Sequence, residues 1–285
     1  MTLDEALREA REELSRRRVE DAALEAEVLL RHVLGLSRSQ LYLEVERQIT
    51  QNEQDKLRGV IARRLQGEPT AYITGHREFY GLDFLVDRRV LIPRPESELL
   101  VDTAIELGRE GARTFADIGT GSGCIAISVA ANVPQAMVYA TDVSADALEV
   151  ALANGLKHGL ERRIRLLRGD LAEPLPERVD VLVANLPYVR RAEVAVVNTR
   201  GYEPTLALDG GEDGLDQIRK LLGQSVSKVR AGGSILLEIG AGQREAAVEA
   251  VMKTFPGASV RVLSDLGGIP RVLVIGRNRL DSPSP

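Results

Sequence analysis

The chain has 285 residues, 44% of them hydrophobic and 28% charged. That is enough apolar material for a large core and too much for a disordered chain, so one or two globular domains are expected. A formal charge of −5 gives no basic field of the kind that holds long nucleic acids, and a single cysteine, Cys124, excludes an internal disulfide.

No run approaches the roughly 18 unbroken apolar residues of a membrane helix. The opening Met1-Thr2-Leu3-Asp4-Glu5 shows no basic start followed by an apolar stretch. Together these predict a cytoplasmic protein with no membrane association and no stable nucleic-acid binding. His32, His76 and His158 are too scattered to build a metal site with Cys124.

Residues 1–70 read as a small helical bundle. Leu3, Leu7, Ala10 and Leu14 recur at helical spacing, as do Ala23, Ala26, Leu30, Val33 and Leu34, with Gly35 placed to end the second helix. Thr50-Gln51-Asn52-Glu53 fits a capping box opening a third helix through Leu57, Val60, Ile61 and Leu65. The bundle's 14 acidic and 12 basic residues nearly balance, so the run Arg16-Arg17-Arg18 reads as a solvated face.

Across 71–92 the pattern changes to Phe84-Leu85-Val86 and Val90-Leu91-Ile92, which predict a β-hairpin connector. Pro93-Arg94-Pro95 stops extended structure, and Pro95 followed by Glu96, Glu98 and Leu99-Leu100-Val101 reads as a helix start.

From residue 113 short β-rich segments alternate with helical stretches: Thr114 to Ile118, Val138 to Thr141, Ile164 to Leu167, Val179 to Ala184, Ser234 to Ile239, Ser259 to Leu263 and Arg271 to Ile275. Seven such segments predict an α/β domain over 93–278 with a mostly parallel sheet and helices on both faces. The last two are joined by too few residues for a crossover, so an antiparallel hairpin is expected there. The Ser/Pro-containing 279–285 reads as a flexible tail.

The segment ending at Asp117 runs into Gly119-Thr120-Gly121-Ser122-Gly123. Glycines at a strand-to-helix turn let backbone approach a ligand closely. Their GxGxG spacing departs from the GxGxxG of dinucleotide sites, and no Walker lysine follows. Asp142, ending the next strand, can accept both hydroxyls of a ribose, and Asp170-Leu171, after the third, lies where an adenine amino group can be met. Taken singly each aspartate reads as a turn or cap residue; the ordered set points to an adenosine-type ligand. Cys124 reads as a small core residue at the start of the following helix.

After the fourth strand stands Asn185-Leu186-Pro187-Tyr188. Asn185 supplies a carbonyl acceptor and an amide donor on a short arm, and Pro187 stiffens the loop that presents them. This tetrapeptide resembles the [ND]-[PIL]-P-[YFW] motif of S-adenosylmethionine-dependent methyltransferases acting on nitrogen attached to a planar group. The motif alone allows adenine, cytosine or glutamine as the nitrogen's carrier.

Gly67 to Gly75, Arg77-Glu78-Phe79 and Leu91 to Glu96 resemble the connecting region of the release factor glutamine methyltransferases, the protein-(glutamine-N5) methyltransferase family. Further resemblance to that family comes at Glu203-Pro204 with Ala207-Leu208, at Gly211 to Leu215, at Leu237 to Gly240, and at Asp265 to Gly268 before Arg271-Val272.

The resemblance implies a Rossmann-like methyltransferase sheet and transfer of a methyl group from S-adenosyl-L-methionine, leaving S-adenosyl-L-homocysteine, to the Gly-Gly-Gln glutamine of peptide chain release factors. It implies cofactor binding by Asp117, Gly119 to Gly123, Asp142, Asp170, Leu171 and Asn185. Substrate is then held by Asn185, the Leu186 carbonyl, Pro187 and the Tyr188 ring, with the helical bundle docking the release factor. The family's usual Asn-Pro-Pro-Tyr has Leu186 here, a form also seen in ribosomal RNA adenine dimethyltransferases. An adenine-N6 methyltransferase of RNA or DNA is therefore the alternative, and a noncatalytic nucleotide-binding module is a third reading.

Overall fold

The computed structural model describes residues 1–277 and divides into two compact units, Met1–His76 and the chain from Arg77 onward. The expected tail at 279–285 lies outside the described residues.

The first unit is helical: α1 (Leu3–Arg16), α2 (Ala22–Leu34), α3 (Arg38–Leu43), α4 (Gln51–Leu65) and α5 (Thr70–Thr74). Capping boxes Thr2/Glu5, Ser37/Gln40 and Thr50/Glu53 open three of them, satisfying N–H groups that a helix start leaves without partners. The Leu3, Leu7, Ala10, Leu14 stripe is buried, as its period requires.

On α2 the expected face is displaced. Ala23 is exposed, and Ala22, Ala26, Leu29 and Leu30 are buried together with Glu27. The burial is tolerable because Glu27 is ion-paired with Arg38 at 2.9 Å and its Oε2 accepts from the Tyr42 hydroxyl at 2.8 Å. The short helices α3 and α5 carry too few residues to show a period, so only α1, α2 and α4 were expected.

The division between the units falls inside β1 (His76–Phe79), which pairs with β2 (Leu82–Leu85). This hairpin corrects the expected one. The two residues between its strands, Tyr80 and Gly81, both have positive φ (52° and 72°), a backbone twist matched to a two-residue hairpin turn. Val86, Val90 and Ile92 are buried outside any strand. The Asp87 carboxylate accepts from the Arg89 backbone at 2.9 Å, making a local turn where strand pairing was expected, and Pro93 and Pro95 exclude a ladder beyond it.

A 3-10 turn, Pro95–Ser97, leads into α6 (Glu98–Arg109). Then follow β3 (Thr114–Ile118), α7 (Cys124–Asn132), β4 (Met137–Asp142), α8 (Ala145–Lys157), β5 (Ile164–Arg168), β6 (Val179–Ala184), α9 (Arg191–Val197), α10 (Asp216–Lys228), β7 (Val229–Glu238), α11 (Arg244–Thr254), β8 (Ser259–Ser264) and β9 (Pro270–Gly276). The seven strands of the main sheet run in the order β5-β4-β3-β6-β7-β9-β8. Pairings are parallel from β5 through β7 and antiparallel at β7/β9 and β8/β9.

The sheet is covered on both faces, because successive strand residues point to opposite sides. Phe115, Val181 and Val183 pack with α6 and α7, whereas Ala116, Leu182 and Ala184 pack with α10 and α11. One strand departs from expectation: β7 begins at Val229, with a register irregularity opposite Val179/Val181, because Gly232 and Gly233 bond to the Arg277 backbone and extend the ladder.

The chain leaves β3 for β4 on one side and later reaches β6 on the other. The carboxyl ends of β3 and β6 thus flank the point where strand order reverses, the crevice in which open α/β sheets bind ligands.

Candidate active site

The turn after β3 is held from beneath. Asp117, 2% exposed, accepts at Oδ2 from the Thr120 hydroxyl at 2.6 Å and the Ala126 backbone N–H at 3.1 Å. Its Oδ1 is buried with no hydrogen-bond partner among the described residues, and burial pushes the carboxyl up to about 6. Thr120 and Ser122 are themselves buried, and Asn154 ties the Ser122 carbonyl to both backbone groups of Leu85.

Gly121 turns outward with φ +55°, and a Cβ there would meet nothing within 4 Å, so the backbone itself faces open space. Its N–H donates to Asp142 Oδ2 at 2.9 Å, and Asp142 Oδ1 accepts from Ser144 N–H at 2.9 Å. Burial raises the Asp142 pKa, opposed by these bonds.

The loop after β6 is packed from several sides. Leu186 is 2% exposed, with Cδ2 only 3.2 Å from where a Gly119 Cβ would stand. A Cβ on Gly240 would come within 3.0 Å of the Tyr188 ring, so that ring lies flush against backbone. Gln243 donates to the Tyr188 carbonyl at 2.9 Å and accepts from Gly240 N–H at 2.8 Å. Burial raises the Tyr188 pKa, with Glu238 adding to it.

Asn185 Nδ2 donates to Ser97 Oγ at 2.8 Å, and the Ser97 hydroxyl donates to Glu238 Oε2 at 2.6 Å. Register explains the meeting, since Ala184 pairs with Leu237, which sets Asn185 beside Glu238 at the sheet's carboxyl edge. Burial pushes Glu238 up to about 7, against the pull of the Ser97 bond and of Arg271.

These groups open on a cavity of about 720 Å³ lined by Gly119, Gly121, Asp142, Asp170, Leu171, Asn185, Leu186 and Pro187. Asp117, Thr120, Ser122, Gly123 and Tyr188 do not line it. The Asp170 carboxylate is paired with Lys220 on α10. Leu171 takes φ +52° and its carbonyl accepts from the Thr141 hydroxyl at 2.8 Å. Burial pushes the Cys124 thiol up to about 12, which makes it a packing residue.

Sequence reading missed Ser97, Glu238, Arg89 to Leu91 and Pro204 to Ala207, the last two of which also line the cavity. Glu238 did carry a signal: it is the one charge in the apolar run Ile235-Leu236-Leu237-Glu238-Ile239.

Residues 5–75 match the family described as PrmC N-terminal domain, and residues 95–200 match the Methyltransferase small domain. A release factor glutamine methyltransferase of Koribacter versatilis is 40% identical over 282 residues, covering 97% of this chain and 99% of its own. One from Moorella thermoacetica is 42% identical over 281 residues with the same coverage. The chain belongs to the release factor glutamine methyltransferase family.

Among solved structures, a methyltransferase from Pyrococcus furiosus superposes with a TM-score of 0.54 at 20% identity, covering 76% of this chain and 97% of that one. At that identity the match speaks for the fold alone. Leu186 is buried against Gly119, so packing anchors the loop that carries Asn185. Among the described residues no group of His, Cys, Asp and Glu is placed to hold a metal ion, and no helix is long and apolar enough to cross a membrane.

Proposed function

We propose that this enzyme transfers a methyl group from S-adenosylmethionine to the side-chain amide nitrogen of the Gly-Gly-Gln glutamine in peptide chain release factors. Relatives of nearly full length bear that name, and they favour a protein glutamine over the adenine of RNA or DNA.

The residues present suit the cofactor. The cavity has the size range of nucleotide-type ligand sites, the Gly121 backbone leaves space where a side chain would intrude, and Asp142 retains lone pairs for ribose hydroxyls. Asp117, with a buried unpaired oxygen beneath the glycine turn, adds negative charge that suits a cationic ligand. When bound, S-adenosylmethionine supplies an electrophilic methyl group on a sulfonium centre.

The protein's part is positioning and electrostatics. An amide nitrogen is a poor nucleophile because its lone pair is delocalised. Asn185 Oδ1 and the Leu186 carbonyl accept its two hydrogens, drawing the lone pair out of conjugation, while the Tyr188 ring, packed on Gly240, braces the loop that presents them. A single observation carries this reading: Asn185 lines the cavity with its Nδ2 already committed to Ser97, which leaves the carbonyl oxygen to face substrate. The helical unit serves to dock the release factor.

The test is incubation with radiolabelled S-adenosylmethionine and, separately, unmethylated release factor and unmodified ribosomal RNA. One methyl group mapped to the Gly-Gly-Gln glutamine is the expected outcome; label on RNA alone would overturn it.

A further inference from the structure

Ser97 precedes α6, where a serine ordinarily accepts from its own helix's N–H groups. Here the 3-10 turn Pro95–Ser97 runs straight into α6, so Ser97 has helical φ and ψ (−71°, −13°) and its side chain makes no cap. The hydroxyl is spent on Glu238 and Asn185 instead. Both Ser97 and Glu238 are 2% exposed, so these bonds form where water does not compete. Arg271, the basic group that influences Glu238, is itself paired with Asp265 at 2.8 Å. A buried carboxylate of this kind is costly unless its charge has a use.

We propose that Ser97 and Glu238 are positioning residues for methyl transfer, the donor chain from Asn185 through Ser97 to Glu238 fixing which end of the Asn185 amide faces the cavity. This rests on the function proposed above and deepens it at the same site. The two ends of an asparagine amide have nearly the same shape, so only hydrogen-bond partners select between them. An ionised Glu238 can only accept, so the Ser97 proton points to it, the Ser97 lone pair points to Asn185, and Asn185 must offer N–H. Its Oδ1 is then the group presented to an incoming NH2.

Protonation of Glu238 removes that polarity. A carboxylic acid donates to Ser97, freeing the serine proton to meet Asn185 Oδ1 and turn the amide round. Burial places this titration at about 7, with Glu96 raising it and Arg271 and the hydrogen bonds from Ser97 and Asn185 lowering it. Tyr188, after β6, and Cys124, opening α7, are the other titratable groups coupled to Glu238. Protonation of Glu238 is therefore the event that would release the Asn185 amide from its orientation.

Two measurements on the full-length protein test the pair. In ¹⁵N-labelled protein the Asn185 side-chain amide signal, assigned by its absence from Asn185→Ala, should titrate near the Glu238 midpoint. In Glu238→Gln, which keeps shape and an acceptor, that titration should vanish. A signal indifferent to pH in the wild type, or one still titrating in Glu238→Gln, overturns the proposal.

In kinetics, Ser97→Ala should lower kcat about 10-fold, the scale of losing a positioning partner, with KM for release factor and S-adenosylhomocysteine affinity unchanged. Ser97→Thr, which keeps the hydroxyl, should restore most of it. Wild-type kcat in Ser97→Ala, or a loss carried by KM and cofactor affinity, overturns the proposal. Should the wild type methylate no release factor, the proposed function falls, and the amide titration still decides the pair.

Discussion

Asn185 and Ser97 lie 88 residues apart in the chain and are joined by a 2.8 Å hydrogen bond from Nδ2 to Oγ. The bond commits one end of a short amide to the protein and leaves the other for the chemical role proposed above. Because Ser97 is fixed in turn by Glu238 at 2.6 Å, the carbonyl of Asn185 is held ready before any substrate arrives. Holding an acceptor in place beforehand is what makes a single polar group count in a transition state.

Replacing Asn185 with alanine should therefore cut turnover by about 10²-fold or more, the scale of one positioned transition-state hydrogen bond, while leaving cofactor affinity nearly intact. Single-turnover rates with release factor, set beside calorimetric binding of S-adenosylhomocysteine, separate the two effects. Unchanged turnover would remove Asn185 from the chemistry.

Asp142→Ala should act on the other quantity. Asp142 accepts from the Gly121 and Ser144 N–H groups, and its remaining lone pairs are proposed to meet the ribose hydroxyls. Losing charge-assisted bonds worth about 1.5 to 3 kcal/mol in total should weaken cofactor binding by roughly 10- to 100-fold. The same calorimetry checks it, and an unaltered dissociation constant would exclude Asp142 from the ribose contact.

Much of this was legible locally. The Leu3, Leu7, Leu14 stripe announces α1, and the glycines between Asp117 and Cys124 announce a tight turn, which at Gly121 faces open space. What stayed hidden depends on distant pairing. Ser97 reads as an ordinary helix start until the 3-10 turn is seen to prevent capping. Glu238 reads as a stray charge until the β6/β7 register sets it beside Asn185. The misplaced hairpin has a similar cause: Val86, Val90 and Ile92 bury singly against the core, so their apolar pattern imitates a strand.

Leu186 offers a test of how a loop lacking the second proline keeps its shape. Its side chain sits in the core beneath Gly119. Leu186→Ala should cost about 2 to 5 kcal/mol of stability by cavity formation and loosen the Asn185 carbonyl's aim, lowering kcat as well. Denaturant unfolding with parallel kinetics would show both. A stable variant with reduced kcat would mean that Leu186 acts on the loop alone.

Glu238 links the site to stability, and the sign can be worked out. Its carboxyl is raised in the folded state to about 7, from 4.5 for a free side chain, so between these values the native protein binds more protons than the unfolded chain. Stability from this group is complete below the lower value and is lost as pH rises through the upper one. Asp117, raised to about 6 from 3.8, acts in the same direction over a lower window. Glu238→Gln removes the buried charge while keeping an acceptor for Ser97. Relative to wild type, its Tm should therefore gain most at alkaline pH and little near pH 5, reflecting a stability difference of a few kcal/mol at most. A Tm difference that is flat across this range would mean that Glu238 is not held in the raised state that burial imposes.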